Sequence, residues 1–160
     1  MPEQNELVIT RTFNAPRELV WQAWSQPEHF KKWWGPKEYT CPDAEIDFRV
    51  GGKFLASMMD AEGKKIWSVG IYTEITPKDK IVFTDCFADE KGNVVSSEEY
   101  GMTGIPLEMK VTVLLEEENS KTKMTITHVG LPAGEHTEGA NIGWNTSIDK
   151  MEVSLKQMKN

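Results

Sequence analysis

Residues 137–158 read TEGANIGWNTSIDKMEVSLKQM. Within them Ala140, Trp144, Ile148, Met151, Leu155 and Met158 recur at intervals of three and four, which places them on one stripe of an α-helix. Asp149, Glu152, Lys156, Gln157 and Lys159 fall on other faces, as a wetted surface requires. At 1.5 Å per residue such a helix is about 30 Å long, roughly the width of a small domain. A helix with one oily side must lay that side on a large partner. The upstream sequence has to supply it.

Most of that sequence alternates with period two. Residues 7–13 put Leu7, Ile9 and Phe13 on one face and Val8, Thr10 and Thr12 on the other. Arg11 shares the apolar parity, so it stands either at a strand end open to water or as a charge at the rim or interior of a cavity. Pro16 then opens a helix at its first turn, with Leu19, Val20, Ala23 and Trp24 as an apolar face. Ser25-Gln26-Pro27-Glu28 has the form of a capping box. It predicts a second short helix carrying His29, Phe30, Trp33 and Trp34, stopped by Gly35-Pro36.

From Ala44 onward, Ile46, Phe48 and Val50 alternate with Glu45, Asp47 and Arg49, and Gly51-Gly52 permits a tight reversal. Phe54, Ala56 and Met58 continue the apolar row. Residues 66–75 hold Trp67, Val69, Ile71 and Ile75 on one side, and residues 81–87 form the next strand. Residues 88–106 have no period and contain Gly92, Gly101, Gly104 and Pro106, which suits a lid or a solvated hairpin extension. Residues 107–115 and 122–129 make a hairpin across residues 116–120. In it Met109, Val111 and Val113 face one way, and Thr122, Met124, Ile126 and His128 share one register.

The order is strand, two short helices, six strands, long helix, with no internal repeat and no linker. Short connections imply an antiparallel meander. The expectation is therefore one α+β domain over residues 1–160, a curved sheet of about seven strands around the C-terminal helix. Such a sheet seldom closes tightly over the whole helix, and the gap it leaves is a pocket.

Composition narrows the function. With 160 residues and 39% hydrophobic content, one core is expected. A net charge of −7 disfavours a nucleic-acid or anionic membrane surface. The first six residues lack the basic start and apolar core of a signal peptide, and no stretch reaches the length of a membrane span. Cys41 and Cys86 stand far apart with no CxxC, so a cytoplasmic location is expected without disulfide, zinc or other cofactor. Six Trp and eight Met suit an interior with irregular space. Asp47 and Arg49 read as solvent-facing charge. No metalloprotease, phosphate-loop or Ser–His–Asp pattern is present. Of the histidines, His29 sits in a short helix and His136 in a loop. Only His128 has inward parity, as a satisfied core histidine or a polar handle for a ligand. The residues expected around the cavity are Trp24, Trp34, Phe54, Met58, Trp67, Phe83, His128, Trp144, Ile148 and Met151.

A chained set of motifs adds to this. Phe13-Asn14-Ala15-Pro16, Val20-Trp21-Gln22-Ala23-Trp24, Pro27-Glu28-His29 and Trp33-Trp34-Gly35-Pro36 follow one another. Then come Asp47-Phe48-Arg49-Val50-Gly51-Gly52, Phe83-Thr84 and Gly143-Trp144. Together they resemble the family of the activator of the ninety-kilodalton heat-shock protein's ATPase (AHSA), in its C-terminal-type domain, within the START/Bet v-like (SRPBCC) superfamily. The resemblance implies a helix-grip fold, an incomplete antiparallel barrel with a hydrophobic cavity. That superfamily spans lipid carriers, hormone receptors, cyclases and oxygenase subunits, so fold alone implies no reaction.

Three functions are compatible with it. The first is non-covalent binding of a small hydrophobic or aromatic molecule, lipid- or polyketide-like, in stress response or transport. The second is a cyclase or hydratase using His128 or Arg11 as proton donor. The third is a co-chaperone-like partner of the heat-shock protein; the eukaryotic co-chaperones carry a second domain for which this chain has no room. Either a monomer or a homodimer is compatible with the sequence.

Overall fold

The oily stripe of the last segment meets a seven-stranded sheet. The computed structural model describes residues 6–102, 104–130 and 135–158. In chain order its elements are β1 (Glu6–Phe13), α1 (Arg17–Ser25), α2 (Pro27–Phe30), β2 (Ala44–Ile46), β3 (Lys53–Met59), β4 (Lys65–Thr76), β5 (Lys80–Ala88), a 3₁₀ turn (Ser97–Tyr100), β6 (Met109–Glu118), β7 (Lys121–Val129) and α3 (Glu135–Met158). The sheet order is β1-β7-β6-β5-β4-β3-β2, and every neighbouring pair is antiparallel. This is the α+β helix-grip architecture: an open curved sheet, two short helices after the first strand, and the long helix across the concave face.

Trp144, Ile148, Met151 and Leu155 of α3 are buried, and Ala140 and Met158 pack half-buried at the ends of the same stripe. They join Ile9 and Phe13 of β1, Val111, Val113 and Leu115 of β6, and Met124 and Ile126 of β7 in one core. Arg11 does not enter it. Its guanidinium reaches the side of α3, donating to Asp149 at 2.9 Å and to Asn145, and so pins the first strand to the helix. Asn119 and Ser120, both at positive φ, close the β6–β7 hairpin in two residues. The strands therefore run on through Glu118 and Lys121, and the expected five-residue loop shrinks.

Several local expectations are corrected. Ser25 ends α1 instead of capping α2; Gln26 takes the cap position with no side-chain bond, and Pro27 supplies the first-turn φ. Pro16 precedes α1 as its cap residue. β2 stops at Ile46, and residues 47–52 fold into a turn held by Arg49 N–H on Asp47 O and by Gly52 N–H on Arg49 O. Val50 is consequently exposed.

In β4 the parity is the reverse of the expected one. Tyr72 faces the main core, while Trp67 and Val69 join Leu55, Cys86 and Ala88 in a small separate cluster, and Ile71 is exposed. A bulge between Tyr72 and Glu74 then switches the row, which is how Ile75 reaches the main core. Close by, Thr84 Oγ1 accepts the Ile71 N–H, and a Cβ on Gly70 would lie 1.8 Å from Thr84 O. Only glycine permits this approach.

Candidate ligand pocket

Residues 34–39 form a short wall after α2. Gly35 holds φ at +100°, where a Cβ would press on Met58 and Tyr39 at 3.3 Å. Lys150 of α3 fixes the wall from behind, its ammonium donating to the carbonyls of Pro36 at 3.1 Å and Tyr39 at 2.8 Å. Thr146 Oγ1 accepts the Lys37 N–H in the same seam. Between this wall, α3 and the sheet is a pocket of about 360 Å³. Trp34, Pro36 and Tyr39 line one side. Met58 of β3, Ile66 and Ser68 of β4, and Asp85, Cys86 and Phe87 of β5 line the sheet side. Met109 of β6, His128 of β7 and Ala140, Gly143, Trp144 and Ser147 of α3 complete it.

The 88–106 segment contributes as well. Its first half is a hairpin extension: Asp89 caps the N–H groups of Lys91 and Asn93, and Val94 bridges Ala88. Tyr100 then anchors it by donating its hydroxyl to Ala88 O and accepting the Trp67 N–H. Met102 and Ile105 beyond it reach the pocket wall.

Two polar groups stand out in this apolar lining. His128 is buried, and its Nδ1 accepts the Trp144 Nε1–H at 3.0 Å. An indole nitrogen only donates, so the imidazole proton sits on Nε2, which faces Met109 Sδ at 3.3 Å. Burial pushes the imidazole from 6.5 down to about 4, so it is neutral at pH 7. Asp85 lies in the inward row of Ile81 and Phe83, next to Met109 in the β5–β6 register. Burial raises its carboxyl from 3.8 to about 7. Trp34 Nε1 is also buried and has no hydrogen-bond partner.

The family described as activator of Hsp90 ATPase homolog 1-like protein matches residues 14–156. This protein belongs to that family. No curated protein matches the sequence. Among solved structures, protein CV1439 of Chromobacterium violaceum is 27% identical with a TM-score of 0.79, over 94% of this chain and 96% of that one. Protein NE0264 of Nitrosomonas europaea is 28% identical with a TM-score of 0.78, over 96% of each chain. The AHSA1 protein of Silicibacter pomeroyi has the same fold at 22% identity, with a TM-score of 0.78 over 96% of this chain and 99% of that one.

Within this AHSA family domain the expected site residues divide into three groups. Trp34, Met58, His128 and Trp144 line the pocket together. Trp24, Phe54, Phe83, Ile148 and Met151 lie deeper in the core. The gap left among Trp24, Phe54 and Phe83 is about 10 Å³, no larger than one water. There the rings interlock: Phe54 meets Phe83 edge-on at 5.3 Å, and Trp24 meets Trp33 at 4.6 Å. Trp67 stands apart, in the small cluster with Leu55 and Val69.

Asp85 is absent from the expected set, although its parity with Ile81 and Phe83 marks a charge in an apolar row. Met102, Ile105, Tyr39 and Cys86 are absent too; the first three come from aperiodic segments, and Cys86 has outward parity. The side chain of His136 lies outside the described residues. Among the described residues, no group of three His, Cys, Asp or Glu is placed to hold a metal ion, and no helix is long and apolar enough to cross a membrane.

Proposed function

We propose that this protein binds a small hydrophobic or aromatic molecule, non-covalently, in the pocket between α3 and the sheet. The observation that carries this reading is the pocket itself: about 360 Å³ walled mainly by Trp34, Met58, Phe87, Met102, Met109 and Trp144. The volume suits an ordinary small ligand. Methionines on three sides let the wall adapt to more than one ligand shape. Burying apolar ligand surface there favours binding at about 25 cal/mol per Å² before ordering costs. A lipid- or polyketide-like metabolite fits this chemistry, in transport or stress response.

The pocket favours binding over catalysis through His128. Its one lone pair is occupied by Trp144, and its proton faces a thioether, so the imidazole is held as a structural part of the wall. Arg11 is committed to Asp149 on the side of α3 and does not reach the pocket. A co-chaperone role has its support in the family's name, and no contact surface of the described residues adds to it.

The test is titration with N-phenyl-1-naphthylamine, a neutral fluorescent apolar probe, reading energy transfer from tryptophan. The expected result is saturation at one probe per chain, with affinity reduced in Trp144→Ala. Saturation at many probes per chain, unchanged in Trp144→Ala, would count against the proposal.

A further inference from the structure

The chain has seven aspartates, at positions 43, 47, 60, 79, 85, 89 and 149. Six are partnered. Asp43 accepts from Lys65 and Ser57, Asp47 from Arg49, Asp79 from Arg17, and Asp149 from Arg11. Asp60 and Asp89 accept backbone N–H groups of their own turns. Among the described residues only Asp85 has no hydrogen bond or ion pair, and it is the one aspartate that faces the pocket.

Among the described residues the pocket lining places no cation opposite it. No Lys or Arg is among the lining residues, and His128 is neutral. The other titratable groups of the lining are Tyr39 on the wall, Cys86 on the same strand and His128 on β7; Glu108, just before β6, adds negative charge near Cys86. Lys150 of α3 lies behind that wall, its ammonium committed to two carbonyls. An anionic headgroup brought into this space meets a carboxylate and no counter-charge. A protonated amine supplies the ion pair that Asp85 lacks, and the same lining holds the aromatic residues Trp34, Tyr39, Phe87 and Trp144, whose rings favour a cation over an anion.

From this juxtaposition we infer that the pocket selects ligands carrying a basic amine on an apolar body, with Asp85 as the residue that determines the preference. The inference rests on the binding function proposed above and names the ligand's charge class. A fatty-acid-like or other carboxylate ligand is disfavoured by the same geometry.

The experiment compares octylamine, 1-octanol and octanoate by calorimetry at pH 8, below their micelle concentrations. The proteins are the unaltered chain, Asp85→Asn and, as a control for the overall negative charge, Asp149→Asn. The expected order is octylamine at least tenfold tighter than 1-octanol, and octanoate weakest. In Asp85→Asn the amine loses its advantage over the alcohol; in Asp149→Asn it keeps it. Equal binding of amine and alcohol to the unaltered chain would overturn the amine preference while leaving apolar binding standing. A preference that survives in Asp85→Asn, or vanishes equally in Asp149→Asn, would overturn the role of Asp85. Failure of all three compounds to bind, together with failure of the neutral fluorescent probe, would remove the binding function as well. Thermal unfolding of each variant checks that it is folded.

Discussion

Replacing Asp85 with asparagine should stabilise the protein, and by an amount set by pH. The unpaired carboxyl of Asp85, half-buried and poorly solvated, holds its proton more tightly in the folded state than in the unfolded chain: about 7 against 3.8. Between those values the folded state binds more protons, so stability falls as pH rises. At 1.36 kcal/mol for each tenfold difference in proton affinity, the ionised side chain costs the fold up to about 4 kcal/mol at pH 8. At pH 4 the folded carboxyl is protonated and the unfolded one is about half so, and the cost shrinks to within about 1 kcal/mol. Asparagine keeps the shape and carries no charge at either pH. Urea unfolding of both proteins at pH 4 and pH 8 should therefore give nearly equal stabilities at the lower pH and a more stable variant at the higher.

His128 works in the opposite direction, because its folded value lies near 4 against 6.5. The unfolded chain binds more protons in that window, so this contribution is lost as pH falls through it. In Asp85→Asn, stability should thus climb with pH from 4 to 6.5, where in the unaltered protein the two effects oppose. A variant that is no more stable at pH 8, or that gains equally at both pH values, would refute the reasoning.

Trp144→Phe removes the hydrogen bond that His128 Nδ1 accepts and should cost about 1–3 kcal/mol in denaturant unfolding, the price of an unsatisfied buried acceptor. Met151→Ala empties a fully buried core position and should cost about 2–5 kcal/mol, with the fluorescent probe still binding one per chain. Gly70→Ala drives a methyl into Thr84 O and the Phe54 ring, so it should lower the thermal midpoint more than any surface substitution.

The long helix was legible because its stripe keeps one period for six residues, and a large sheet was the only partner able to cover it. β6 and β7 were equally legible, since Val111, Val113, Met124, Ile126 and His128 alternate without interruption. β4 was not. Its bulge at Tyr72/Glu74 exchanges inside for outside partway along, and that exchange depends on backbone pairing with β5 rather than on residue type. The same limit divided the site. Aromatic content identified Trp34, Trp144 and the interlocked rings beneath them alike, because large apolar side chains serve core and pocket wall equally. Which of them border open space depends on how the sheet, the 34–39 wall and α3 meet, and no residue type signals that. Asp85 carried a sequence signal, a carboxylate in the inward row of Ile81 and Phe83, whereas Met102 and Ile105 sit in a segment with no periodicity to place them.

The most direct test is methyl NMR of the protein labelled at methionine, titrated with N-phenyl-1-naphthylamine. The methyls of Met58, Met102 and Met109 border the pocket, while those of Met124 and Met151 are buried in the core beside it. The first three should shift and show direct contacts to the probe, with Met124 and Met151 left in place. Stoichiometric binding that leaves Met58, Met102 and Met109 undisturbed would put the ligand elsewhere and contradict the account.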